Sequence, residues 1–270
     1  MPQNPTIYEQ VRMDYNTQAT KYNDLFKSPF GILETQLVAA AVSDDGFCEG
    51  ASVLDIGGGT GMRARQVLAL GAAKVDVVDI STEMVEVGKK DADNMLDQES
   101  AVKLRWFLGD ASSPLFGAQG IKGLQDPGTY DLVMANWMFD HVGDLATLEA
   151  IWRNIAAAVR PGGRFVGVRA SDPRAPAMID GLYGPICHSF EEFPGGLNYR
   201  SIIPAEPPVH IKNCSLEISF SGSTELHEKH GFSDVETVKP ELMEIVGADP
   251  EFWKVWVEQP GFEVVRARRT

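Results

Sequence analysis

Cysteine is scarce in this chain of 270 residues, which contains only Cys48, Cys187 and Cys214. Their scattered positions argue against a disulfide framework and against a zinc site. Long apolar runs are absent as well, so no segment is long enough to cross a bilayer. The N-terminal segment lacks the charged-then-apolar layout of a signal peptide. We therefore expect a cytoplasmic protein with no metal site and no membrane partner.

Basic residues are also few. The chain contains 24 Lys and Arg but 38 Asp and Glu, so its formal net charge is -14. A polyanion would be repelled by this charge, so a nucleic-acid partner is disfavoured and a small-molecule substrate is favoured. The one basic cluster, Arg266, Arg268 and Arg269, alternates with apolar residues and indicates one face of a strand. No pattern in the sequence indicates an oligomeric state.

Short apolar segments alternate with amphipathic segments through most of the chain. This alternation predicts βαβ units, and hence an α/β fold with a mainly parallel sheet and helices on both faces. We expect a single domain over residues 1–270, with a helical N-terminal segment at 1–45. The predicted strands are 52–56, 74–79, 103–108, 130–135, 164–170, 235–239 and 262–268, and the main predicted helices are 32–42, 62–70, 83–95, 145–159 and 224–230.

The alternation breaks between residues 171 and 222, where seven prolines fall. Residues 197–203 and 215–220 are expected to pair there as an antiparallel hairpin. We interpret this segment as an insert that covers the open edge of a site. Pro161-Gly162-Gly163 is expected to end the preceding helix and turn the chain.

The strongest local signal is the segment from Val53 to Gly61, in which a buried strand leads into a glycine-rich turn and then a helix. Glycines allow positive φ and a close approach of the backbone to a ligand. A dinucleotide fingerprint, Gly-x-Gly-x-x-Gly, fails because Met62 occupies its sixth position. A phosphate loop fails because no lysine follows the turn. Asp55 would also repel a phosphate, whereas it suits a ligand that carries an ammonium and a sulfonium.

Two further acids end the next two strands, Asp79 after the second and Asp110 after the third. A carboxylate at the end of the second strand can accept hydrogen bonds from both ribose hydroxyls of a nucleoside. Asp110 can accept from an adenine amino group while the amide of Ala111 donates to the ring. Each acid alone is also typical of a helix cap, but three acids at three consecutive strand ends favour a nucleoside site.

These motifs resemble those of class I SAM-dependent methyltransferases (SAM, S-adenosylmethionine). The resemblance includes the Asp-x-Gly-x-Gly-x-Gly turn, the acidic end of the second strand, Gly109-Asp110-Ala111 and Pro161-Gly162-Gly163. Residues 15–22 resemble a segment of the small-molecule members, although Asn16 replaces the usual acid. The resemblance implies a Rossmann-like seven-stranded, mostly parallel sheet of order 3-2-1-4-5-7-6, an N-terminal helical lid, an insert after strand 5, and SAM as cofactor, with S-adenosylhomocysteine (SAH) as product. The implied cofactor-binding residues are Tyr15, Tyr22, Asp55, Gly57, Gly58, Gly59, Gly61, Asp79, Ile80, Met84, Asp110, Ala111 and Asn136.

The acceptor side is less defined by the sequence. Residues 135–142 follow the fourth strand and lack Asn/Asp-Pro-Pro-Tyr, the signature of enzymes that methylate adenine or amide nitrogens. His141 is a candidate general base, since its unperturbed pKa lies near 6.5, but packing alone also explains a histidine here. His188 and His210 of the insert are weaker candidates for facing the acceptor. The candidate substrate-lining residues are Trp137, His141, Tyr183, His188 and Tyr199.

Four functions remain open at this point. The favoured one is in-line transfer of a methyl group to N, O or S of a small molecule, in secondary metabolism. The alternative is a SAM-binding enzyme that does not methylate, such as a cyclase or pericyclase. A non-catalytic scaffold and a protein or nucleic-acid methyltransferase are disfavoured, the former by the intact glycines and acids and the latter by charge.

Overall fold

The computed structural model describes residues 7–220 and 222–270. The strands are β1 (Ser52–Ile56), β2 (Lys74–Asp79), β3 (Leu104–Leu108), β4 (Tyr130–Asn136), β5 (Val159–Ala170), β6 (Ile186–Phe193), β7 (Gly196–Ile203), β8 (Val209–Leu216), β9 (Phe232–Thr237) and β10 (Phe262–Arg269). The α-helices are α1 (Ile7–Tyr22), α2 (Pro29–Ser43), α3 (Met62–Ala69), α4 (Thr82–Met95), α5 (Gln98–Ala101), α6 (Leu145–Ala158), α7 (Pro176–Ile179), α8 (Glu217–Phe220), α9 (Glu225–Lys229), α10 (Glu244–Ala248) and α11 (Lys254–Glu258). Three short 3-10 helices join them at Asn23–Lys27, Asp44–Gly46 and Pro240–Leu242.

Seven strands form the main sheet in the order β3-β2-β1-β4-β5-β10-β9. Strands β3, β2, β1, β4 and β5 pair in parallel, whereas β10 pairs antiparallel with both β5 and β9. Because the last two strands are the sixth and seventh of this sheet in chain order, the predicted order 3-2-1-4-5-7-6 is confirmed. β1 is buried along its whole length, as expected for a central strand covered on both faces. The carboxyl ends of β1, β2 and β4 therefore meet at one edge of the sheet.

Helix boundaries follow local chemistry. The side chain of Ser81 accepts a hydrogen bond from the Met84 amide and caps α4, as the sequence predicts. Asp144 caps α6 in the same way through the Thr147 amide. α3 begins instead after Gly61, whose φ of 67° lies in the left-handed region.

The Pro-Gly-Gly segment corrects one expectation. α6 ends at Ala158, and Val159 already pairs with Tyr130 of β4. The next pair is Leu132 with Arg164, so Pro161, Gly162 and Gly163 form an irregularity inside β5 rather than the turn that ends the helix. Gly162 accommodates it with a φ of 73°.

The insert contains a second, three-stranded antiparallel sheet of order β6-β7-β8. The predicted hairpin was wrong in its second strand, because β7 pairs with Val209–Leu216, whereas residues 217–220 are helical. The prediction also missed β6, in which exposed acids and a register shift between His188 and Glu191 interrupt the alternation.

The N-terminal helices differ in their environment. α2 is part of the core, since Leu33, Val38 and Ala41 are completely buried. α1 instead lies against α4 and β8, and Gln18 donates from Nε2 to the His210 carbonyl at 2.7 Å. α1 and the insert therefore meet above the carboxyl edge of the main sheet. None of the helices in the described part of the chain has the length and apolar character needed to cross a membrane.

Candidate active site

The glycine turn after β1 is built so that only glycine fits at its centre. Gly57 and Gly59 have positive φ values of 68° and 55°. A Cβ atom at Gly58 would lie 2.6 Å from Val77 Cγ1 and 2.8 Å from Asp55 Oδ2. The backbone of the turn therefore packs directly on β2 and on the Asp55 carboxylate, and its other side is free to approach a ligand.

A cavity that encloses about 1040 Å³, part of it open to solvent, lies over this turn. Its walls come from the ends of β1, β2 and β4 and from α1, which closes it from above. We call it the turn cavity. Most of the predicted cofactor-binding residues line it: Tyr15, Tyr22, Asp55, Gly57, Gly58, Gly59, Asp79, Ile80, Met84, Ala111 and Asn136.

Asp55 is the most perturbed acid of the turn cavity. Its side chain is 1% exposed, and neither carboxyl oxygen has a hydrogen-bond partner among the described residues. Burial raises the pKa of Asp55 to about 7, and Asp79 adds to this, while Arg63 opposes it. The side-chain amide of Asn136 is likewise buried, and neither its Nδ2 nor its Oδ1 has a hydrogen-bond partner in the described chain. Unpaired buried groups of this kind are costly and point to a polar ligand.

Asp79 is held in place by backbone amides. Its Oδ2 accepts from the Gly59 amide and its Oδ1 from the Ser81 amide, both at 2.8 Å. Burial raises the pKa of Asp79, and these two hydrogen bonds oppose the shift. The carboxylate is thereby fixed at the wall of the cavity with lone pairs left for a further donor.

Two predicted residues do not line the turn cavity. Asp110 turns its carboxylate to the amide and hydroxyl of Ser112, both at 2.7 Å, and so stabilises its own loop. Gly61 lies at the start of α3, where Trp106 packs so closely that a Cβ would be 2.4 Å from its Cη2. Gly109 and Ala111, the neighbours of Asp110, are the residues of that loop on the cavity wall.

The sequence reasoning missed a buried ion pair at the same cavity. Glu34 of α2 and Arg63 of α3 are 1% and 5% exposed, and Glu34 Oε1 accepts from Arg63 Nη2 at 2.5 Å. The other Glu34 oxygen accepts from the Trp137 indole at 2.9 Å. A signal was present, because Glu34 is the one charged residue in the helix of residues 29–43.

Trp137 itself adopts a positive φ of 59°, which is strained for a residue with a bulky side chain. Its amide donates to the Val168 carbonyl, its indole donates to Glu34, and its ring stacks on Phe30 at 5.6 Å. These contacts hold the chain in an unfavourable conformation directly after β4. Strain maintained at such a point is typical of a functional site.

A second cavity of about 550 Å³ adjoins the first, and we call it the insert cavity. Four residues line both cavities: Tyr15, Tyr22, Trp137 and His141. The remaining wall is mainly apolar. It comes from the insert, including Tyr199, Ile203 and Ile211, from the end of β5, and from Leu25 and Phe30 of the N-terminal segment. A ligand in the insert cavity would therefore contact a ligand in the turn cavity at these four shared residues.

His141 is paired with the N-terminal helix. Its Nε2 lies 2.7 Å from the hydroxyl of Tyr15. Burial raises the pKa of Tyr15 and lowers the pKa of His141 to about 4, although the backbone of Lys212 opposes the latter shift. Both side chains are consequently neutral near pH 7, with the phenol able to donate to the imidazole.

Asp140 anchors the insert at the same point. Its Oδ1 accepts from Ser215 Oγ at 3.0 Å and from the Tyr199 hydroxyl at 3.2 Å, and its carbonyl accepts from the Cys214 amide. Burial raises the pKa of Asp140 to about 6, opposed by these hydroxyls and by the backbone of Ala170. Tyr199, one of the candidate substrate-lining residues, thus lies on the wall of the insert cavity.

Tyr183 and His188 line neither cavity. Tyr183 is fully buried, stacks on Trp253 and donates its hydroxyl to the Phe252 carbonyl. His188 contacts the neighbouring Ser189 hydroxyl through Nδ1. Tyr183 therefore packs against the segment that contains Phe252 and Trp253, and both candidates lie outside the two cavities, unlike Tyr199.

Comparison with known proteins agrees with this architecture. Residues 54–165 match a family model described as a methyltransferase domain. No curated protein matches the sequence. The chain is similar to the structure of the [4+2]-cyclase SpnF, with 17% identity over 98% of this chain and 97% of that one and a TM-score of 0.58. A complex of DhpI with SAH gives 18% identity over 97% of both chains and a TM-score of 0.57.

A third similar structure is magnesium protoporphyrin IX methyltransferase from Synechocystis PCC 6803 with bound SAM, at 15% identity over all of both chains and a TM-score of 0.58. At these identities the likeness establishes the fold. The chain therefore has the Rossmann-like fold of the class I methyltransferases. Within it, residues 54–165 match the model of a methyltransferase domain, in agreement with the resemblance seen in the sequence.

Proposed function

We propose that the protein is a SAM-dependent methyltransferase that transfers a methyl group to N, O or S of a small molecule in secondary metabolism. The observation that carries the proposal is the buried, unpaired carboxylate of Asp55 on the wall of the turn cavity. A buried anion without a partner requires a cation, and the amino group and sulfonium of SAM are both cationic.

The other polar groups of the turn cavity suit the remaining parts of SAM. Arg63 is the one Arg or Lys among the described residues of its wall. It already pairs with Glu34, so in our proposal one remaining N–H of its Nη2 meets the carboxylate of SAM. Asp79 complements two ribose hydroxyls, and the unpaired side chain of Asn136 complements the amino-acid end. The buried carboxylate of Asp55 beside the glycine turn would repel a phosphate, which argues against a dinucleotide.

SAM supplies an activated methyl group whose leaving group is neutral. The chain has only to hold the acceptor on the methyl axis and to exclude water, which contributes up to ~7–11 kcal/mol through positioning. In our proposal Tyr15, Tyr22 and Trp137 exclude water between the two cavities. His141 contacts the acceptor there, and a proton taken from it by Nε2 would displace the hydrogen bond from the Tyr15 phenol.

A second candidate function is that of a SAM-binding enzyme that does not methylate. The structural similarity to the cyclase SpnF supports this alternative. A pKa near 4 also makes His141 a weak base, which a pericyclic reaction would not need. Product analysis separates the two, because only a methyltransferase releases SAH in step with product.

Calorimetry with SAM, SAH and NADH tests the cofactor assignment directly. We expect SAM and SAH to bind and NADH not to bind. Binding of NADH without SAM or SAH would refute the proposal. A thermal-shift screen of small metabolites in the presence of SAH then narrows the acceptor, because a ligand of the insert cavity stabilises the folded state further.

A further inference from the structure

The insert cavity contains one buried acid whose hydrogen bonds are incomplete. Asp140 is 4% exposed and lines the cavity. Its Oδ1 accepts from Ser215 and Tyr199, but its Oδ2 has no hydrogen-bond partner among the described residues. A buried carboxyl oxygen without a hydrogen-bond partner is energetically costly, so a ligand that donates a hydrogen bond to it would be bound favourably.

The residues around Asp140 favour a positively charged hydrogen-bond donor over a negatively charged group. Among the described residues that line the insert cavity, none is Lys or Arg. Arg169 is near enough to lower the pKa of Asp140, but it does not line this cavity and it pairs with Glu263. A carboxylate or phosphate on the acceptor would therefore face Asp140 without a free cation on the cavity wall. Aromatic rings form much of the remaining wall, from Tyr15, Tyr22, Phe30 and Tyr199. The negative faces of such rings attract organic cations.

From these features we infer that the acceptor carries a protonated amine, which the free carboxyl oxygen of Asp140 holds inside the aromatic insert cavity. This inference rests on the proposed function, since it names the substrate class of the same site. Asp140 acts as an anchor, because a nitrogen that stays protonated has no lone pair for a methyl group. The methyl group then goes to another atom of the acceptor, near His141, where the two cavities meet.

The test uses the full-length protein saturated with SAH and three arylalkyl amines: tryptamine, phenethylamine and 4-phenylbutylamine. Each is compared by calorimetry with the alcohol of the same skeleton, which donates a hydrogen bond but carries no charge. We expect at least one amine to bind at least tenfold more tightly than its alcohol. If no amine is preferred over its alcohol, the inference is refuted.

Asp140→Asn supplies the matched variant, because its amide oxygen can still accept from Ser215 and Tyr199 while the charge is lost. We expect this variant to bind SAH normally and to lose most of the preference for the amine. Glu191→Gln removes an exposed acid of the same insert and should keep the preference. An amine preference that is unchanged in Asp140→Asn would overturn the inference.

The two proposals fail in different ways. If the wild type does not bind SAH, the proposed function is wrong. If SAH binds but no amine binds more tightly than its alcohol, the proposed function stands and the acceptor does not carry an ammonium group. The same conclusion follows if the amines bind more tightly than the alcohols in Asp140→Asn as well.

Discussion

Replacing Asp55 by asparagine should stabilise the ligand-free protein at alkaline pH while weakening SAM binding. Asp55 is completely enclosed, and its pKa is raised from 3.8 to about 7. As the pH rises, the unfolded chain therefore releases this proton first. The free energy of unfolding falls between about pH 4 and pH 7 and stays low above that range.

The size of the effect follows from the difference in pKa. Each pKa unit corresponds to ~1.36 kcal/mol, so an ionised Asp55 lowers the free energy of unfolding by about 4 kcal/mol at most. Asparagine has nearly the same shape and remains neutral at every pH. The buried amide costs less than a buried charge, so most of this destabilisation should disappear in Asp55→Asn.

Urea denaturation of the ligand-free wild type and variant at pH 5 and pH 8.5 measures this. At pH 5 Asp55 of the folded wild type is protonated, but the unfolded chain has already released this proton, so the variant should be more stable by only about 1.5 kcal/mol. At pH 8.5 the variant should be more stable by about 2–4 kcal/mol. Asp93→Asn, which alters an exposed acid of α4, is the control and should show no such dependence on pH.

Binding of SAM should change in the opposite direction. Calorimetry of the wild type should show weaker binding at pH 5 than at pH 8.5, because protonation removes the charge that faces the cation. Asp55→Asn should bind SAM at least tenfold more weakly at pH 8.5, and its affinity should depend little on pH. A variant that is less stable than the wild type at both pH values, with unchanged SAM affinity, would refute our interpretation of Asp55.

Three further predictions concern the same two cavities. Asp79→Ala should weaken SAM binding by about 10- to 100-fold, the loss expected for hydrogen bonds to a charged group, and unchanged affinity by calorimetry would contradict the ribose assignment. His141→Ala should lower turnover by about 10²-fold or more while SAM binding is retained; full turnover would reduce His141 to packing. Gly58→Ala should lower the melting temperature, because its Cβ would lie 2.6 Å from Val77 and 2.8 Å from Asp55; a thermal melt equal to that of the wild type would show that β2 yields easily.

The main sheet could be predicted from the sequence because its signals are local. A buried strand such as β1, followed by a glycine turn and a helix, leaves few alternatives for the chain. Parallel strands then bring their carboxyl ends to one edge, which is why Asp55 and Asp79 were predicted to meet. The insert was harder, because the pairing of β6 with β7 depends on contacts between strands and contains a register shift at His188.

The acceptor side of the site could not be predicted to the same depth, since its residues come from distant parts of the chain. Tyr15 and His141 are 126 residues apart, and Asp140 and Ser215 are 75 residues apart. No periodicity links such pairs, and only the docking of α1 and β8 on the sheet brings them together. Glu34 was detectable in principle as the one charged residue of its helix, but its partner Arg63 was not.

One acid in each of the two cavities lies in an environment that is unfavourable for a carboxylate. Asp55 and Asp140 are both buried, and each has carboxyl oxygen left without a partner in the described chain. Their pKa values are raised to about 7 and about 6, so each is destabilising when ionised and unpaired. A fold selected for stability alone would replace both with neutral residues. Their presence on adjoining cavity walls is understandable if two cations are bound side by side, one in the turn cavity and one in the insert cavity.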